Sequence, residues 1–253
     1  MEWKDEGVIL GVRRHGEGSV IVEVMTPGHG RQMGLVRGGR SSRMRALLQP
    51  GNSVSLTWRA RLSEHLGNFA IDADRLRAAS LMETALALQG LQLVTAHLRL
   101  LPERDPHPAL YRGALVLLDH LDDPQIAARL AIRFELAMLE ELGFGLDLES
   151  CAATGVRQDL AWVSPKSGRA VSRTAGAPWA ERLLALPPFL SGGTETPSAS
   201  PQSDLAAGFA LAGHFLQRDV WEPRRLRPPD ARAAFAAAVW RSLSALATTA
   251  ASG

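Results

Sequence analysis

The spacing of apolar residues changes once along the chain, near residue 80, and this change constrains the fold more than any other feature. Up to residue 79, short β-branched runs alternate with glycine- and proline-rich turns, a pattern typical of strands. From Ser80 onward, apolar residues recur at helical spacing. The sequence therefore predicts an α+β chain of several domains, with strands over residues 1–79 and helices over residues 80–247.

Five short strands are predicted in the first domain, over residues 8–12, 20–25, 32–36, 53–62 and 67–71. In the fourth, apolar residues alternate from Val54 to Leu62, which places Arg59 and Arg61 on the opposite face. Five strands in so short a segment favour a small closed barrel, and the OB-fold is the common five-stranded barrel.

Helix ends in the second domain follow from local signals. Ser80 and Glu83 form a capping box, and Pro124 stands at the first position of a long apolar helix. Asp230 is expected to cap the last helix, over residues 230–247. Further helices are predicted over residues 108–121, 178–190 and 203–218.

Two segments depart from the helical pattern. Residues 147–176 contain several glycines and the only cysteine, Cys151, and predict an inserted lobe. Residues 191–203 are rich in Ser, Thr, Gly and Pro and predict a flexible loop. One cysteine forms no internal disulfide, and no apolar run approaches membrane-spanning length, so we expect a cytoplasmic protein.

The charge distribution points to a polyanionic partner, although the net charge is only +2. Between Met25 and Ser63 there is no Asp or Glu, which predicts a local positive field. The glycines and serines of residues 37–45 predict a flexible loop whose guanidiniums suit phosphate oxygens. The alternative is a solvated basic face on an arginine-rich chain. The arginines of the acid-free block are Arg31, Arg37, Arg40, Arg43, Arg45, Arg59 and Arg61.

No motif indicates catalysis. The glycines around His29 lie between two predicted strands, so the helix N-terminus that a nucleotide-binding loop needs is missing. The acidic residues near His120 have sufficient roles at helix ends, and Cys151 has no catalytic motif around it. The sequence therefore predicts neither an enzyme nor a cofactor.

The order of short motifs along the chain resembles the RecO family of recombination mediators. The resemblance covers nearly the whole chain and implies an N-terminal OB barrel followed by a helical domain. It also implies binding to single- and double-stranded DNA, annealing of complementary strands, and partnership with RecR and the single-stranded-DNA-binding protein in loading RecA. The matching segments are residues 7–10, 15–17, 26–31, 36–40, 47–51, 133–144, 213–218 and 229–232.

The resemblance also assigns residues. Arg37, Arg40, Arg43 and Arg45 would hold phosphates, helped by Arg59 and Arg61. Arg129 and Arg133, one helical turn apart, would receive the acidic tail of the single-stranded-DNA-binding protein. The alternative is that Arg133 pairs with a glutamate of its own chain.

Many relatives bind zinc through two Cys-x-x-Cys pairs, and here the lobe departs from the family pattern. This chain keeps the spacing, with Cys151 and Thr154 followed by Ser164 and Ser167, but only one thiolate. We therefore expect a degenerate zinc-ribbon-like lobe without metal.

The predicted function is a non-enzymatic, DNA-binding recombination mediator without a cofactor, which we expect to be nucleoid-associated through its DNA. The alternative is a non-catalytic adaptor whose helical domain binds protein partners and whose barrel is incidentally basic.

Overall fold

A computed structural model describes residues 1–62, 64–191 and 200–251. The chain forms two compact units: residues 1–124 together with residues from 231 onward form unit 1, and residues 125–230 form unit 2. The domain boundary predicted at residue 79 lies within unit 1 and stays a prediction. Within the described residues, no helix is long and apolar enough to cross a membrane.

Five strands of unit 1 close into a barrel in the order β1-β2-β3-β5-β4, which confirms the predicted five-stranded OB-type architecture. The first half of β1 pairs with β4 and its second half with β2, with a bulge between Ile9 and Gly11. A parallel contact between Leu35 and Asn68 joins β3 to β5 and completes the closure. The strands are β1 (Glu2–His15), β2 (Ser19–Thr26), β3 (Gly30–Val36), β4 (Ser53–Arg59) and β5 (Asn68–Arg75).

Alternation along β4 fills part of the barrel core. In β4, Val54, Leu56 and Trp58 are buried, while Arg59 is exposed, as the pattern predicts. The prediction for Leu62 is wrong, because β4 ends at Arg59 and Leu62 lies exposed beyond it.

A short helix, α1 (Ser42–Leu47), replaces the flexible loop predicted over residues 37–45. The Ser41 hydroxyl accepts a hydrogen bond from the Met44 amide, at 3.4 Å, and caps the helix. Met44 and Leu47 pack against the barrel core, which the prediction of a solvated loop overlooked.

Four further helices belong to unit 1: α2 (Ala78–Leu81), α3 (Ala85–Leu98), α4 (Pro108–Asp119) and most of α8 (Asp230–Ala251). The predicted Ser80 capping box is wrong, because Thr84 caps α3 instead and accepts from the Ala87 amide at 3.1 Å. Ser80 lies inside α2, which starts where Asn52 Oδ1 accepts hydrogen bonds from the amides of Arg77 and Ala78. A barrel residue thus fixes the start of this helix.

Unit 2 contains α5 (Pro124–Glu141), a three-stranded sheet and α7 (Pro201–Phe215), which continues as a π-helical turn, Leu216–Trp221. The start of α5 at Pro124 confirms the prediction. The sheet has the order β7-β6-β8, with β6 (Leu160–Val163), β7 (Ala170–Ser172) and β8 (Leu184–Ala185); α6 (Arg173–Gly176) follows β7.

The helix predicted over residues 178–190 is wrong in part. Residues Ala177–Arg182 and Pro188–Leu190 form two 3-10 turns, and β8 lies between them because Leu184 and Ala185 pair with β6. The loop predicted over residues 191–203 falls mainly on residues 192–199, which lie outside the described residues, and α7 already begins at Pro201.

Candidate nucleic-acid interface

Three arginines from different elements line one cleft on the barrel, called the arginine cleft below. Arg14 comes from the end of β1, Arg40 from the turn after β3, and Arg45 from α1. The cleft has a volume of about 320 Å³, and no carboxylate is among the described side chains that line it. Its other lining residues are Val12, Val20, Gly39, Leu48, Gln49 and Pro50.

The turn after β3 fixes Arg40. Gly38 has φ +67°, and a Cβ at Gly39 would lie 2.4 Å from Val20 Cγ2, so two glycines let this turn lie directly on β2. The Arg40 amide donates to the Gly18 carbonyl at 3.4 Å, and its guanidinium donates to the Glu17 carbonyl. The exposed Arg40 side chain is therefore anchored at the rim of the cleft.

The neighbouring guanidiniums remain available to a ligand. Arg37, Arg43 and Arg45 are exposed, and among the described residues none of their guanidiniums forms an ion pair. The Gln49 side-chain amide donates to the Arg45 carbonyl at 2.7 Å, which ties the end of α1 to the cleft wall. Exposed basic groups thus lie both on α1 and in the turn after β3.

Arg31 has a different environment from the rest of the acid-free block. Its guanidinium lies 3.0 Å from Glu23 and is largely buried, and Glu23 also pairs with Arg99 at 2.6 Å. Burial raises the pKa of Glu23, but the hydrogen bonds and charges of Arg99 and Arg31 outweigh burial and hold the pKa below its ordinary value. Arg31 is therefore committed to a contact within the barrel.

Arg59 and Arg61 lie at and beyond the end of β4 rather than in the arginine cleft. Arg59 pairs with Glu2 at 2.8 Å, and both side chains are exposed. The hydrogen bond from Arg59 lowers the pKa of Glu2. Arg61 is exposed as well. The structure thus divides the seven predicted arginines among three places.

Sequence reasoning missed Arg14, which precedes the acid-free block and lies three residues before Glu17. The adjacent pair Arg13 and Arg14, just before the Gly16–Gly18 turn, was the available signal. Pairing of β1 with β2, with Arg14 opposite Val20, brings this residue to the turn that carries Arg40.

In unit 2, Arg129 and Arg133 of α5 both contact Phe189. Arg129 Cζ lies 5.5 Å from the centroid of the Phe189 ring, and Arg133 donates to the Phe189 carbonyl at 2.8 Å. The two arginines therefore share one face of the helix, as their spacing predicts. A role in binding a partner's tail, and the alternative of internal pairing of Arg133 with a glutamate, both stay open.

The lobe over residues 147–176 keeps two tight turns but not the ligands of a zinc site. Gly155 has φ +74° and Gly168 has φ +69°, and their amides donate to the carbonyls of Cys151 and Ser164. One thiol with three hydroxyls does not fit zinc, and the described residues contain no cluster of His, Cys, Asp or Glu suited to a metal ion.

Hydrogen bonds hold this lobe in unit 2. Arg218, in the π-helical turn, donates to the carbonyls of Pro165 and Lys166, and His214 Nε2 lies 3.2 Å from the Pro165 carbonyl. Arg169 pairs with Asp147 at 3.0 Å across the base of the lobe. These contacts reach the same loop that carries Ser164 and Ser167.

Comparisons with known proteins agree with this architecture. The model of the family "Recombination protein O N terminal" matches residues 1–71, and that of "Recombination protein O C terminal" matches residues 87–228. The chain is 60% identical over 244 residues to the DNA repair protein RecO of Brucella abortus (strain 2308), covering 96% of this chain and 98% of the relative. It is 60% identical over 243 residues to that of Chelativorans sp. (strain BNC1), covering 96% and 97%. The chain is 58% identical over 249 residues to the DNA repair protein RecO of Rhizobium etli, covering 98% of this chain and 96% of the relative. The chain therefore belongs to the RecO family.

Proposed function

We propose that this protein is a DNA-binding recombination mediator that acts in DNA repair by annealing complementary single strands. Family membership supports the role in repair, and the arginine cleft is the observation that carries the binding activity. Three guanidiniums converge where no described carboxylate competes with a phosphate. Such a surface neutralises a backbone without reading its sequence.

Annealing requires no covalent step. Arg14, Arg40 and Arg45 contact phosphates, and the exposed Arg43 of α1 and Arg37, just after β3, extend the contact. With both backbones neutralised and the base edges left free, pairing selects the complementary strand. The protein therefore acts without a catalytic group or a cofactor.

Arg59, Arg61 and Arg31 contribute less to DNA binding than the arginines of the cleft. Arg59 and Arg61 add phosphate contacts near the end of β4, where a phosphate competes with Glu2 for Arg59. Arg31 supports the barrel through Glu23 rather than contacting DNA directly.

The protein partners follow from the family. The mediator binds the single-stranded-DNA-binding protein and RecR and helps to load RecA. Arg129 and Arg133 receive the carboxylates of the tail of the single-stranded-DNA-binding protein, on the helix face where both arginines contact the buried Phe189.

Anisotropy of a labelled single-stranded oligonucleotide, titrated at several salt concentrations, tests the arginine cleft. The triple variant Arg14→Ala, Arg40→Ala, Arg45→Ala should bind more weakly, and its log–log salt slope should be shallower by about 2, since each single-strand phosphate contact contributes about 0.7. The matched control replaces Arg112, Arg157 and Arg173 with Ala, which removes the same charge elsewhere.

Equal weakening in the two triple variants would show that only net charge matters and would overturn the cleft assignment. Absence of binding by the wild type at low salt would favour the adaptor function instead. Annealing of complementary strands coated by the single-stranded-DNA-binding protein, measured with the same variants, then tests the mediator step.

A further inference from the structure

An open apolar cleft lies between β1 and α3 in unit 1, called the apolar cleft below. Its volume is about 450 Å³, within the range of roughly 300–1,000 Å³ of pockets for small organic groups. Met82 is 54% exposed and Leu88 is 36% exposed at its mouth, so apolar surface remains open to solvent. Leu10, Pro50 and Leu91 form its interior wall.

The apolar cleft and the arginine cleft share a wall. Gln49 and Pro50 line both of them. A third depression, of about 400 Å³ and lined by Val12, Arg13 and Arg99, also includes Pro50. A chain whose phosphates lie in the arginine cleft therefore meets the apolar cleft as it continues along β1.

The charge of this surface complements a polyanion. None of the described side chains that line the apolar cleft is a carboxylate. Among the described residues that line the third depression, the only acid is Glu23, which pairs with Arg31 and Arg99. Arg13 is exposed where it lines the third depression, so both the apolar walls and the charge of this surface favour a ligand with anionic links and apolar faces.

Two amides at the rim can meet polar edges of such a ligand. The Gln92 side chain is exposed, and no hydrogen bond of its amide to a described residue is found. Gln49 uses its amide nitrogen on the Arg45 carbonyl, which leaves its side-chain oxygen as an acceptor. Amide side chains both donate to and accept from base edges.

We propose that the apolar cleft receives unpaired bases of the strand whose phosphates occupy the arginine cleft. This inference rests on the proposed function and adds a preference for single strands, because bases stacked and paired in a duplex cannot enter the cleft. Aliphatic side chains take the place of the aromatic platform usual in single-strand binding. Any base fits, so the contact does not select sequence.

The test compares a thymidine oligonucleotide with an abasic oligonucleotide of equal length and charge, using anisotropy at one salt concentration. The wild type should bind the thymidine strand more tightly by about fivefold or more, at the lower end of base-stacking contributions. The variant Met82→Ser, Leu88→Ser should lose this preference while keeping its affinity for the abasic strand. The control Leu76→Ser, Val116→Ser changes two exposed apolar residues that do not line the cleft.

A second variant, Ala96→Phe, fills the apolar cleft and should also abolish the preference. If the wild type binds both oligonucleotides with equal affinity, the apolar cleft does not receive bases. The arginine cleft would then still stand as the phosphate site, and the apolar cleft would be assigned to a protein segment. A preference kept by both variants would overturn the inference as well. Failure to bind either strand would instead reject the proposed function and this inference with it.

Discussion

The backbone amide of Ser172 donates a hydrogen bond of 3.3 Å to the sulfur of Cys151. The side chains of Ser172 and Thr154 also hydrogen-bond to this sulfur. Although burial raises the pKa of the thiol, these hydrogen bonds lower the pKa to about 6 from the ordinary value of 9.0. The lobe thus supplies hydrogen-bond donors that stabilise the thiolate form of Cys151.

Thiolate absorbance in the ultraviolet should titrate with a midpoint near pH 6 in the folded protein. Because the folded pKa lies below the unfolded value, Cys151 contributes stability that is fully present above pH 9 and is lost as the pH falls through about 6. The variant Cys151→Ser should lack both signals. A midpoint near 9 would contradict the assigned hydrogen bonds.

Purified protein should contain no stoichiometric zinc, because one thiol and three hydroxyls form a poor zinc site. Elemental analysis measures this directly. A chelator should leave the unfolding temperature unchanged, whereas one zinc per chain would show that other ligands complete a site.

Replacing Glu23 with Gln should destabilise unit 1 by about 1.5–3 kcal/mol near neutral pH, since charged hydrogen bonds to Arg31 and Arg99 are lost. The lowered pKa of Glu23 means that its contribution is present above the ordinary value of 4.5 and disappears as the pH falls below it. Urea unfolding at several pH values measures the difference. Glu103→Gln, at 3.6 Å from Arg31 and more exposed, should cost far less.

Gly30→Ala should destabilise unit 1 strongly, by about 2–4 kcal/mol, because two costs combine. Gly30 has φ +66°, and a Cβ there would lie 2.1 Å from the Asp105 carbonyl oxygen. Gly38→Ala is the matched control, since Gly38 has φ +67° but open space around it, and should cost only about 1 kcal/mol. Equal losses in thermal unfolding would show that the close approach of the 103–105 segment does not matter.

Arg129→Ala should weaken binding of the acidic tail peptide of the single-stranded-DNA-binding protein about fivefold or more, through loss of one charged contact. Calorimetry with the synthetic peptide measures this. Arg157→Ala, an exposed arginine elsewhere in unit 2, serves as the control. Unchanged affinity in the Arg129 variant would place the tail elsewhere.

Most of the barrel was predictable because its signals are local: β-branched runs in β1 and β2, glycine-rich turns between strands, and alternation in β4. The buried face of β4, which carries Val54 and Trp58, can be predicted from the sequence of this strand without knowing which strands pair with it. The start of α2 was not, since the group that caps it is Asn52, distant in sequence. Helix α1 was missed because its apolar anchors, Met44 and Leu47, are surrounded by residues typical of loops.

The sequence predicted which segment carries the candidate site, but not which of its arginines come together in the folded protein. An acid-free segment identifies Arg40 and Arg45, yet it equally includes Arg31, whose partner Glu23 lies just outside the segment. Arg14 reaches the cleft only through strand pairing. Three-dimensional pairing, rather than local charge, decides which guanidiniums remain free for a ligand.

Unit 1 is built from both ends of the chain, since the polypeptide leaves it at Pro124 and returns at Ala231. A ribosome releases the barrel strands early, but the segment that completes this unit emerges only after all of unit 2. During synthesis, the first 124 residues therefore wait for the last part of their own compact unit. Closure of this long covalent loop makes complete assembly of the unit a late step of folding.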